Sequence, residues 1–179
     1  MRRISPAGTY FVTTATFNRK SLFQVTRNAD LLVEVIREYA AQGKFDVESF
    51  VIMPDHIHLL ITPSSDNSLE KCMQLIKGGS SFRLKKELGF VGEVWQRGFT
   101  DHRIRDEEDF HSHVNYIHQN PVRRGLCERA EDYPFSSGPF AASRRRARRA
   151  RRGRRWGRSS WPMMTVRRNT VNTPHFDCP

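Results

Sequence analysis

The alternation of apolar and polar positions divides the chain into short segments. TYFVTTATF, residues 9–17, is rich in β-branched and aromatic residues and predicts a strand. After the polar connection NRKSLFQ, Leu31, Leu32, Val35, Ile36 and Tyr39 recur at helical spacing, and Gly43 is the expected stop. KFDVESFVIM predicts a second strand, Pro54-Asp55 a tight turn and HIHLLITP a third strand, so the two strands read as an antiparallel hairpin. Asp66-Asn67-Ser68 offers caps for a second helix carrying Leu69, Met73 and Ile76 on one face. Gly78-Gly79 is expected to weaken or bend it before SSFRLKKELG resumes. VWQRGFTDHRI gives short β-like segments. A third helix is expected from about Asp106 to QNPVRRG, where Pro121 opposes continuation.

The order strand, helix, strand, strand, helix, strand, helix predicts an α+β fold. It is a ferredoxin-like βαββαβ sandwich with an antiparallel sheet, followed by an extra C-terminal helix. The formal charge of +11 changes the picture of the chain's end. From Ser143 onward there are twelve of the thirty basic residues, all Arg, and one of the nineteen acids, leaving eighteen of each in residues 1–142. We therefore expect a net-neutral folded domain over 1–142 and an Arg-rich, disordered tail over 143–179. That tail suits salt-sensitive nucleic-acid binding; a shifted reading frame is the alternative. Apolar runs are too short for a membrane span, no signal peptide is apparent, and Cys72, Cys127 and Cys178 match neither a zinc spacing nor a disulfide framework. A cytoplasmic protein is expected.

His56 and His58 stand one residue apart inside the apolar run of the third strand. Alternation along a strand puts both imidazoles on one face, about 6–7 Å apart along the chain. They could hold a metal ion or be two structural histidines sharing a strand. On the third helix, at about 100° per residue, Phe110, Val114 and Ile117 form the core-facing stripe. His113, Asn120 and Tyr116 form a contiguous polar edge beside it, and His118 falls on the other flank. Tyr116 and Asn120, at i and i+4, are thereby favoured as a pair presented to a common site. Two imidazoles and one amide oxygen would be neutral ligands, leaving a divalent cation nearly its full charge for polarising a phosphodiester. Manganese, magnesium and zinc all suit such a set.

MPDHIHLLITP, WQRGFTDH and HVNYIHQNPVRRGL, with TYFVTTATFNRKSLF before them and EDYPFSS after, together closely resemble the REP-associated tyrosine transposases. These belong to the single-tyrosine group of the His-hydrophobic-His superfamily. The resemblance covers roughly residues 4–137 and implies a metal-dependent, single-strand DNA endonuclease and strand transferase acting at palindromic hairpins. It implies metal ligation by His56 and His58, with Asn120 as third ligand and magnesium or manganese as the ion. Tyr116 would be the nucleophile that becomes joined to a 5′ phosphate. Asp101, His102, His113 and His118 are candidates for supporting that site.

Lys71, Lys77, Arg83, Lys85 and Lys86 along the second helix, and Arg123 with Arg124 after the tyrosine, are candidate phosphate contacts beside the alternative of a solvated helix face. Trp95 is a candidate for base stacking or for the core. Single-stranded or hairpin DNA in the nucleoid is the expected partner, no membrane is involved, and monomer and homodimer both stay open. The rival readings are a catalytically silent hairpin-binding protein, a replication or conjugation nickase, and a hydrolase using metal-bound water.

Overall fold

The computed structural model describes residues 8–137; the expected tail at 143–179 lies outside the described residues. The strands are β1 (Tyr10–Ala15), β2 (Phe45–Ile52), β3 (His56–Pro63) and β4 (Thr100–Arg103), and the helices are α1 (Thr26–Ala41), α2 (Leu69–Leu88) and α3 (Glu107–Arg123). The sheet runs β2-β3-β1-β4 with every neighbouring pair antiparallel. This is the expected ferredoxin-like order, with α3 following β4. Among the described residues no helix is long and apolar enough to cross a membrane.

Strand alternation separates two apolar layers. Tyr10 and Val12 of β1 lie opposite Ile61 and Leu59 of β3, and with Ile57 they face α1 and α2. Leu31, Leu32, Val35 and Ile36 meet them from α1, and Met73, Ile76 and Leu84 from α2. The other face presents Phe11, Leu60 and Val51 to Ile117, Phe110 and Val114 of α3, the stripe the helical spacing singles out. An irregularity between Val47 and Ser49 shifts β2 by one residue, so Phe50 and Ile52 stay with the first layer while Val51 joins the second.

Two helix-breaking signals act less than expected, for local reasons. Gly78-Gly79 does not interrupt α2, which runs over 20 residues. Gly79 is the point of closest approach to α1: a Cβ there would stand 2.9 Å from Tyr39 Cε2 and 3.2 Å from Val35 Cγ1. The helix is also well closed, by Ser68 Oγ accepting from the Lys71 N–H and by Gly89 at φ 65°. α3 ends at Arg123, within QNPVRRG as expected, although Pro121 itself stays inside the helix. In the last turn the proline forfeits one hydrogen bond only, and the Asn120 and Pro121 carbonyls are taken by the N–H groups of Arg124 and Leu126. The Trp95 ring is core, 8% exposed, with its N–H on Ser80 Oγ at 3.0 Å.

Candidate active site

The two imidazoles lie on the α3 face of β3, buried to 4% and 5% exposure, their ring centroids 4.8 Å apart. Each is held by its Nδ1. His58 Nδ1 is 2.7 Å from Thr13 Oγ1, on the residue directly opposite in β1. His56 Nδ1 is 2.6 Å from Asp55 Oδ1. Asp55 is itself fixed, because its carbonyl accepts from the backbone N–H and the hydroxyl of Thr16, and its other oxygen lies 3.4 Å from Arg19 Nη1.

The Asp55 carboxylate accepts from His56 Nδ1, leaving the Nε2 lone pair of that ring as the ligating atom, and Thr13 engages His58 through Nδ1, leaving Nε2 as its free nitrogen. His58 Nε2 is buried and has no hydrogen-bond partner among the described residues. Leaving such an atom unpaired costs about 1–3 kcal/mol, so the site is built for a group that pairs with it. Burial, together with the charge of His56 and then of Arg124, lowers the His58 pKa to about 3; burial also lowers that of His56. Both rings are neutral at physiological pH, as metal ligands must be. The donor set fits a divalent cation.

Tyr116 reaches this pair from α3. Its ring centroid is 5.3 Å from that of His58 and edge-on to it, Phe11 packs against both, and the residue is 38% exposed. Asn120 follows one turn later, 6% exposed, and Arg124 one turn after that; the Arg124 charge is felt at both imidazoles. Tyr116 and Asn120 thus stand at i and i+4 on one edge of α3, and Arg124 is its C-terminal cap. Arg123 places its guanidinium 5.6 Å from the Tyr116 ring centroid.

The remaining sequence candidates separate sharply. His118 lies 3.1 Å from Ser49 Oγ and 3.3 Å from Ser137 Oγ through Nε2, tying α3 to β2 and to the closing segment. His102 and His113 stack at 4.9 Å on the α3 side of β4, both against Asp109. Asp101 pairs with Val12 and therefore points to the opposite face from the imidazoles, so it does not support them.

Lys71, Lys77, Arg83, Lys85 and Lys86 belong to α2, across the sheet from the histidines. Lys77 Nζ already donates to the carbonyls of Gln96 at 2.6 Å and Gly98 at 2.7 Å, and Arg83 bridges Glu34 and Glu87. Asp55, Thr13, Arg19 and Asp109 are the residues that sequence reasoning missed. Only Asp55, beside His56 in the turn, carried a usable signal.

A sheet-borne imidazole pair facing a helix-borne tyrosine on a ferredoxin-like frame is the arrangement to set beside known proteins, and the comparisons place the chain among transposases. The family model for IS200-like transposases matches residues 7–120. The REP-associated tyrosine transposase of Escherichia coli K12 is 30% identical over 131 residues, covering 73% of this chain and 76% of its own. A Haemophilus influenzae relative is 30% identical over 153 residues, covering 76% of this chain and 82% of its own. A solved structure of a REP-associated tyrosine transposase bound to a REP hairpin superposes with a TM-score of 0.67 at 29% identity, covering 80% of this chain and 84% of that one. The chain belongs to the IS200-like transposases and, within them, to the REP-associated tyrosine transposases.

Proposed function

We propose that this chain cleaves and rejoins single DNA strands at palindromic hairpins through a covalent tyrosine intermediate. The observation that carries the reading is the solvent-reaching Tyr116 ring against His58, whose Nε2 is orphaned. The relative solved with a REP hairpin supports hairpin DNA as the substrate class. The site of action is the nucleoid.

His56, His58 and Asn120 hold the divalent cation, manganese or magnesium, which when bound polarises the scissile phosphate and offsets charge on its oxygens. Asp55 keeps the His56 ring in the ligating tautomer, and Thr13 orients the His58 ring. Tyr116 Oη gives up its proton to solvent and attacks phosphorus, the P–O3′ bond breaks, and the departing oxygen takes up a proton from solvent to become a 3′ hydroxyl, so no net proton is gained or lost. The 5′ phosphate remains on Tyr116, so the bond energy is kept for rejoining when a 3′ hydroxyl attacks in reverse. Arg124, at the C-terminal cap of α3, presents its cation to the phosphate backbone, and Arg123 braces the tyrosine ring.

A labelled hairpin oligonucleotide incubated with manganese tests this directly. The wild type should yield a protein–DNA adduct that survives denaturation, and Tyr116→Phe should yield none. An adduct retained in Tyr116→Phe excludes Tyr116 as nucleophile. Cleavage without an adduct in both proteins points to a hydrolase, and hairpin binding without cleavage under any metal points to a silent binding protein.

A further inference from the structure

We propose that His102, Asp109 and His113 form a second divalent-cation site, separate from the His56–His58 pair, selective for a zinc-class transition ion. The three side chains come from two elements, His102 from β4 and the others from α3. One ligand atom from each lies within 4.8 Å of the other two. His102 Nε2 is 2.8 Å from Asp109 Oδ2, and His113 Nδ1 is 3.1 Å from Asp109 Oδ1. Bonds of about 2.0–2.1 Å in a tetrahedral shell separate ligands by about 3.3 Å, so small side-chain adjustments suffice. The two rings are already stacked side by side at 4.9 Å and 17°.

Several features favour a transition ion here. Two imidazoles and one carboxylate are the donor set such ions prefer over magnesium or calcium. Asp109 and His113, at i and i+4, are presented on one helix face. Asp109 is pre-oriented: its Oδ2 also accepts from the Arg105 backbone N–H at 3.1 Å and lies 3.5 Å from Arg105 Nε. His113 Nδ1 additionally lies 2.8 Å from the Asp109 carbonyl oxygen, a bond within the helix that ligation would replace. The side chains of His102 and His113 are 42% and 22% exposed, so the ion would have an entry path and room for water.

The consequence is mechanical. A direct side-chain hydrogen bond between β4 and α3 runs through this cluster, between His102 and Asp109 at 2.8 Å. A cation there would fasten the edge strand to α3 one turn before Tyr116 and fix the helix that delivers the phenol.

Equilibrium dialysis of the full chain against zinc alone tests the site. A His56→Ala, His58→Ala protein should retain one zinc, and adding His102→Gln with Asp109→Asn should remove it. In the otherwise unchanged chain, His102→Gln with Asp109→Asn should lower the zinc content by one, which covers the case in which the alanine protein does not fold. His102→Gln alone, on a half-exposed edge-strand residue, should weaken that zinc on the order of tenfold or more without altering the circular dichroism spectrum. Zinc content indifferent to these changes, or no zinc in either background, overturns the proposal. Neither result depends on whether Tyr116 forms an adduct with DNA.

Discussion

Thr13 and His58 face each other across β1 and β3, hydroxyl to Nδ1 at 2.7 Å, and that contact fixes which nitrogen of the ring faces the candidate metal position. Asp55 does the same for His56. Partners of this kind typically change metal affinity about 10–100-fold when removed. Thr13→Val and Asp55→Asn should each weaken manganese binding by about that factor with the fold intact. Isothermal titration with manganese reads it, and unchanged affinity in both variants would mean that the rings need no such orientation.

Cationic residues on the two sides of the sheet should differ in what they do. Arg124 acts on both imidazoles and Arg123 lies over Tyr116, whereas Lys85 and Lys86 sit on α2 beyond the sheet. Under the proposed function, Arg123→Ala and Arg124→Ala should each weaken hairpin binding and lower the salt slope by about 1. Lys85→Ala with Lys86→Ala should leave both nearly unchanged. Fluorescence anisotropy over a salt series separates the cases, and the reverse pattern would move the DNA path to α2.

Adjacent glycines in α2 carry opposite expectations. A methyl at position 78 meets nothing within 4 Å, while one at 79 would strike Tyr39 and Val35. Gly78→Ala should therefore stabilise the protein by about 0.5–1 kcal/mol through helix propensity. Gly79→Ala should destabilise by about 1–3 kcal/mol, because the Tyr39 and Val35 side chains of α1 must give way. Urea unfolding midpoints measure both, and equal effects would show that the helix contact yields freely.

The same pair shows where sequence reading stops. Helical spacing exposed the α2 core face, but a Gly-Gly step looks identical whether it breaks a helix or admits a neighbouring one; only the partner's Tyr39 decides. His56 and His58 were legible because strand period and spacing are both local. Tyr116 and Asn120 were legible because an i, i+4 edge beside an apolar stripe is also local. Thr13 and Asp109 were not, since their importance depends on the β1–β3 register and on where α3 crosses β4. Asp101 misled for the complementary reason: it adjoins His102 in sequence, yet the strand turns it to the other face.

Alkaline stability should report the closing segment. The Tyr133 hydroxyl donates to the Ile52 carbonyl at 2.8 Å, and the Ile52 N–H donates to the Phe135 carbonyl, so this segment seals the β2 edge. Burial, with the nearby Cys127 adding to it, pushes the phenol up to about 12. A folded pKa above the unfolded value of about 10 means that the unfolded chain gives up its proton first. The contribution is thus fully present below pH 10 and is lost as pH rises toward 12, to an extent of up to roughly 2 kcal/mol. Burial likewise pushes the Cys72 thiol up to about 11, which adds an earlier decline from about pH 9. Because Cys72 is common to both proteins, comparing wild type with Tyr133→Phe isolates the phenol. The variant should be less stable by about 1 kcal/mol at pH 8, from the lost hydrogen bond. Its stability should then fall less steeply than that of the wild type between pH 10 and 12. Parallel urea midpoints across that window would mean that Tyr133 ionises as freely in the folded protein as in the unfolded chain, and that the edge seal does not depend on its hydroxyl.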